Sequence, residues 1–246
     1  MNNSARVESV VKTIEGDGAR VNRLFPIRRQ LMNYDPFVLW DHFELTPGAG
    51  FPEHPHRGFE AITYLFSGGI EHKDNLGHQS TVYAGGAQRF TAGSGITHSE
   101  MPMGESLSKG IQLWINLPRH LKQIDPAYQQ IDAQDFTEEL VNSVRVKTIV
   151  DAEEGIQLNS KVSYHERRFE QDSLHHIDIP FAHRGFIYVV SGEIQVSNVK
   201  VKPGKAYFFE QGTRGLDLRG EKNTLVMTAS GIPHRQPIYQ HGPYVD

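Results

Sequence analysis

Two pairs of residues spaced two apart carry the most chemistry in this sequence. They are His54 and His56 in FPEHPHRGFE (51–60), and His98 and Glu100 in ITHSE (96–100). Successive side chains of a β-strand alternate faces, so residues i and i+2 project together. Pro55 also biases His54 away from helical backbone. Each pair is therefore expected on one face of a strand. Three neutral imidazoles and one carboxylate form an N3O donor set suited to a divalent first-row ion, with positions left for water or substrate. Ligand bonds of about 2 Å are expected. Burying these four groups without a cation would leave polar atoms unsatisfied, at about 1–3 kcal/mol each. Glu60 is even-spaced from His56, so alternation alone leaves it open as the carboxylate ligand. Gly58 is placed to break that alternation.

Strands must position these groups, and the rest of the chain is rich in them. FVLWDHFEL (37–45), AITYLFSGG (61–69), IQLWINL (111–117), VRVKTIV (144–150), FIYVVSG (186–192) and TLVMTASG (224–231) alternate with Gly, Pro, Asn and Asp punctuation. Such regular spacing predicts a sandwich or barrel. Helical signals are confined to 118–142, where Pro118, Asp125-Pro126 and Asp132 can open short helices. The two halves also echo each other. YLFSGGIEHKDNLG from Tyr64 compares with YVVSGEIQVSNVKV from Tyr188, and AGGAQRFTAGSG (84–95) with VKPGKAYFFEQGTRG (201–215). That spacing is too long for a solenoid unit and suits a duplicated small β-barrel. The expected architecture is all-β: two tandem antiparallel jelly-roll barrels over 1–133 and 134–246, with a few short helices. The C-terminal tail is expected to pack back on the first barrel.

In the second half, matching YVVSGE to YLFSGG sets Asp178 and Pro180 where His54 and His56 stand, and Asp-Leu-Arg at 217–219 offers no His-x-Glu pair. The second barrel is thus expected to lack a metal and to serve as support. HRGF at 183–186 repeats 56–59 out of register, so His183 reads as a remnant. His175-His176 reads as surface, and His72 and His78 as exposed residues of a hairpin turning at Asn75–Gly77.

Composition narrows the function classes. Lys plus Arg number 25 against 29 Asp plus Glu, a net charge of −4, which argues against direct nucleic-acid binding or an anionic membrane surface. No apolar stretch approaches the roughly 18 residues of a membrane span, and the first residues lack the pattern of a signal peptide. A soluble, cytoplasmic, monomeric protein is expected. With no cysteine, disulfides, thiol catalysis and thiolate–metal chemistry are excluded.

HPHRGFE (54–60), TAGSGITHSEMP (91–102), IQLWINLP (111–118) and GIPHRQPIYQHGPYV (231–245) resemble the pirins, a branch of the cupin superfamily. The resemblance implies a bicupin whose first barrel alone binds one divalent metal through His54, His56, His98 and Glu100. Iron(II) comes first, with zinc, manganese, nickel, cobalt or copper as substitutes. It assigns the carboxylate to Glu100, leaving Glu60 as an alternative ligand or as a partner orienting a histidine ring. It further implies quercetinase-type activity: a flavonol opened by dioxygen with release of carbon monoxide, Glu100 acting as base and the metal as Lewis acid. Phe51, Phe59, Phe90 and Met101 flank the ligands and are candidates to line an aromatic slot. The other reading that the resemblance supports is a non-enzymatic metal-binding module with protein partners, like the transcriptional cofactors among eukaryotic pirins. A cupin sugar-phosphate isomerase lacks a phosphate-binding cluster here.

Overall fold

The computed structural model describes residues 6–246. Alternating apolar strands fold into two units, each built on a seven-stranded and a four-stranded antiparallel sheet, with a two-stranded ribbon, Gln240–His241 and Tyr244–Val245, added to one of them. Both are jelly rolls rather than closed barrels. The helical signals of 118–142 yield only two 3₁₀ turns, Arg119–Leu121 and Ala133–Asp135, separated by the strand Ala127–Ile131. Asp125-Pro126 opens that strand instead of a helix.

One unit comprises Val11–Phe136, Leu158–Ser160 and His234–Asp246. Its larger sheet is centred on Phe59–Ser67, Ser108–Asn116 and Phe37–Leu45, with Ala87–Thr91 beside the first of these. Its smaller sheet runs in the order Phe51–His56, Ile96–Pro102, Gly69–Asp74, Gln79–Tyr83. Side chains of alternate residues from both sheets fill the interior, with Leu39, Phe59, Ala61, Phe90, Ile96 and Trp114 in one apolar cluster.

The second unit comprises Thr137–Gln157, Lys161–Pro233 and the N-terminal strand Arg6–Ser9, which pairs with Lys205–Phe208. A division at residue 133 therefore misplaces that first strand. Its ladder partner lies two hundred residues downstream, and nothing local in RVES announces it. The larger sheet is centred on Arg184–Ser191, Leu225–Gly231 and Val162–Phe169; the smaller contains Ser173–Asp178 and Gly215–Gly220.

The repeat read from the tyrosines is carried by the ladders. Tyr64 pairs with Ala87 and Ile111, and Tyr188 pairs with Ala206 and Met227. One residue further along each central strand, Gln112 corresponds to Thr228.

Candidate metal centre

His54 and His98 face each other directly across the Phe51–His56 and Ile96–Pro102 pair. Directly opposed residues of a ladder share a face, so the two histidine strands converge on the same interior. Ring nitrogens of His54, His56 and His98 all lie within 4.8 Å of one another. The rings pack at centroid distances of 4.5 to 5.0 Å.

Each imidazole is held by its Nδ1. His54 Nδ1 lies 2.7 Å from the Pro52 carbonyl oxygen and His56 Nδ1 3.2 Å from that of Pro243. A carbonyl only accepts, so both Nδ1 atoms carry the proton and both Nε2 atoms present lone pairs. His98 Nδ1 lies 3.4 Å from His72 Nδ1, and His72 Nε2 lies 3.0 Å from Asp74 Oδ2. With Asp74 accepting from His72 Nε2–H, His72 Nδ1 becomes the acceptor for His98. The lone pair of His98 then falls on Nε2, which is buried without a hydrogen-bond partner. Burial, then the neighbouring imidazoles, push His56 down to about 3 and His98 well below the usual histidine range. His56 and His98 are thus held neutral, the form that ligates metal.

Glu100 reaches the same cavity by a different route. Its Oε1 accepts from Thr63 Oγ1 at 2.7 Å and Gln88 Nε2 at 2.6 Å, while Oε2 accepts from Gln112 Nε2 at 2.7 Å. These neutral donors come from three strands of the opposite sheet and fix the buried carboxylate's position. The cavity, about 660 Å³, is bordered by His54, His56, Glu100, Phe51, Leu39 and Trp114 among others. Its volume falls within the usual range for small-molecule sites.

Several sequence readings change here. Glu60 is fully buried but points away from the histidines: it accepts from Thr91 Oγ1, the Asn159 amide nitrogen and Asn159 Nδ2, each at 2.8 to 2.9 Å. Gly58, at φ +82°, breaks the alternation between the two strands, so Phe59 and Ala61 turn inward and Glu60 outward. Among the described residues, Glu60 therefore orients no histidine ring. Phe51 borders the cavity. Phe90 and Phe59 instead back His56, stacking on it at 5.3 Å and meeting it edge-on at 5.1 Å. Met101 lies on the opposite face of its strand from Glu100 and sits beside Gly50.

His72, expected at the surface, is buried completely and pairs with Glu100 across the ladder. The signal was present in IEHKD: Ile70, His72 and Asp74 share one parity, while Glu71 and Lys73 take the other. His78 does lie at the exposed end of the hairpin. Thr63, Gln88 and Gln112, which hold Glu100, carried no sequence signal, because their roles depend on pairing across two sheets.

Residues 18–115 match the family described as Pirin, and residues 164–246 match the Pirin C-terminal cupin domain. Pirin-like protein 2 of Arabidopsis thaliana is 38% identical over 244 residues, covering 94% of this chain and 75% of that protein. Homo sapiens pirin is 35% identical over 243 residues, covering 94% of this chain and 83% of that protein. The chain belongs to the pirin family. Quercetin 2,3-dioxygenase from Acinetobacter baumannii matches this pirin with a TM-score of 0.90 at 27% identity, covering 98% of this chain and 90% of that one.

The donor set of this pirin fits a metal ion. Three imidazoles converge with their Nδ1 atoms engaged elsewhere, and His98 leaves a buried Nε2 that only a cation, water or ligand can satisfy. Imidazole suits zinc, copper, iron and nickel alike, so the donors point to a first-row ion without choosing one. No helix among the described residues is long and apolar enough to cross a membrane.

Proposed function

We propose that this pirin is a metal-dependent dioxygenase of the quercetin 2,3-dioxygenase type. His54, His56 and His98 would hold one divalent ion, iron(II) first, with Glu100 completing the set. The observation that carries the reading is the convergence of three imidazoles on a partly apolar cavity that the buried Glu100 also borders. When bound, the ion supplies Lewis acidity and a template for an electron-rich oxygen substrate.

The chain's own residues supply the rest. Phe51, Leu39 and Trp114 offer apolar wall against which a planar flavonol can lie. Glu100 would take the proton of the flavonol 3-hydroxyl, leaving an enolate rich enough in electrons to react with dioxygen. Thr63, Gln88 and Gln112 keep that carboxylate in place before and after the transfer. Overall, flavonol and dioxygen would give the ring-opened ester and carbon monoxide.

The test is aerobic incubation of metal-loaded protein with quercetin. Loss of its near-visible absorbance, with carbon monoxide evolved, is expected. Glu100→Gln should keep at least part of its metal and lose turnover by about 10²-fold or more, the scale expected of a general base. Metal-loaded wild type that leaves quercetin intact would remove this reading. The non-enzymatic, metal-binding module with protein partners would then take its place; it is favoured by the higher identity to eukaryotic pirins than to the quercetinase.

A further inference from the structure

The second jelly roll carries a buried cation that the proposed dioxygenase does not use. Arg167 lies on Val162–Phe169 with the same parity as Phe169, whose ring belongs to the apolar interior. Among the described residues, its hydrogen bond goes from Nη1 to Thr228 Oγ1, while Nε is buried without a partner. Among the described residues no carboxylate pairs with it. Glu166 has the other parity and accepts from Arg168 at 3.2 Å. Asp151 is turned to His165, at 3.5 Å from its Nε2. A guanidinium stays charged at any ordinary pH, and an uncompensated buried charge is strongly unfavourable.

Other polar groups share that interior. His175 projects with Ile177 of the apolar core, and its Nδ1 is also buried without a partner. Ser230 shares the parity of Val226 and Thr228 and meets His183 Nδ1 at 3.0 Å. These groups are not sealed off. Arg167, His175, His183, Thr228 and Ser230 keep between 5% and 9% of their surface exposed, whereas Ile187, Val189 and Val226 beside them keep none. This interior is therefore polar at five positions, each with a small exposed fraction.

In the internal repeat, Thr228, which holds this group, is the counterpart of Gln112 in the first unit. Thr228 pairs with His165 as Gln112, which holds Glu100, pairs with Asp41. On the smaller sheet the inward positions are occupied by Ile177, Leu216 and Leu218 in place of metal ligands. Where the first unit gathers three imidazoles, the second unit's interior holds a cation.

We infer that the interior of the second jelly roll binds a small monocarboxylate anion, with Arg167 as its charged anchor and His175 and Thr228 beside it. One unpaired guanidinium balances one negative charge. Its planar edge matches a carboxylate with two parallel N–H···O bonds. The neutral imidazole of His175 donates from whichever nitrogen bears the proton, and a small anion suits a site so nearly buried.

The probes are sodium formate, acetate and benzoate, titrated against sodium chloride and sulfate at equal ionic strength. Binding is followed by calorimetry and thermal unfolding of the full chain. Saturable binding of at least one carboxylate, not matched by chloride or sulfate, is expected. Arg167→Met should weaken it at least tenfold while leaving metal content and quercetin turnover unchanged. That split separates failure of this inference from failure of the dioxygenase reading. Should Arg167→Met not fold, Thr228→Val and His175→Phe are each expected to weaken carboxylate binding several-fold. Absence of saturable carboxylate binding by the wild type, equal binding by the variants, or preference for sulfate would each overturn the inference.

Discussion

At the residue scale, the candidate centre depends on which nitrogen of each histidine is free. His54 and His56 are set by backbone carbonyls, but His98 is set through another side chain, His72, backed by Asp74. Asp74 is itself fixed by the amides of Leu76 and His78 at 2.9 and 3.0 Å. Removing a ligand and removing its orienting partner should therefore differ in degree. Purified wild type is expected to hold about one divalent ion per chain, and His98→Ala to lose nearly all of it, by elemental analysis after anaerobic purification. His72→Phe should keep the ligands and weaken metal affinity about 10- to 100-fold, the scale found for partners of ligating histidines. A His72→Phe protein that binds metal like the wild type would show that the tautomer of His98 is set in some other way.

At the element scale, one glycine decides which carboxylate enters the cavity. Gly58 sits at φ +82°, where a side chain is strained, and a Cβ there would run into the carbonyl oxygen of Val245. The same carbonyl accepts from Lys122 Nζ, which also bonds the Gly58 carbonyl and Asn116 Oδ1. That one ammonium ties the strand junction to the tail whose Pro243 holds His56. Gly58→Ala is expected to cost at least about 1–3 kcal/mol from backbone strain, with displacement of the tail added. Urea unfolding should show that loss, and metal titration should show weakened binding. An alanine variant with unaltered stability and affinity would mean that the junction adapts freely.

At the scale of the whole molecule, buried neutral histidines make stability depend on pH. Burial, outweighing the nearby charges, lowers His42 to about 4 and His165 to about 3. Below about 6.5 the unfolded chain takes up protons that the folded chain refuses. Their contribution is thus complete above that value and drains as pH falls toward the folded values. Between pH 6.5 and 5 each such histidine should cost about 2 kcal/mol of unfolding free energy. Denaturant titrations at pH 7 and 5 should show the decline, and His42→Gln should lessen it by about one histidine's share; an identical decline in that variant would contradict the assignment.

The sequence by itself determined the all-β duplicated architecture, since alternation and the matched tyrosine strands are local properties of the chain. It also determined that His54 with His56, and His98 with Glu100, share faces, because the parity of a strand is fixed within a few residues. Only the tertiary structure decided that Glu60 turns outward, that His72 stands behind His98, and that Arg167 lies in the second interior bonded to Thr228, with no carboxylate partner among the described residues. Each of those depends on a strand junction at positive φ or on partners from distant strands. Such partners are selected by sheet register, and sheet register is an outcome of packing the whole chain.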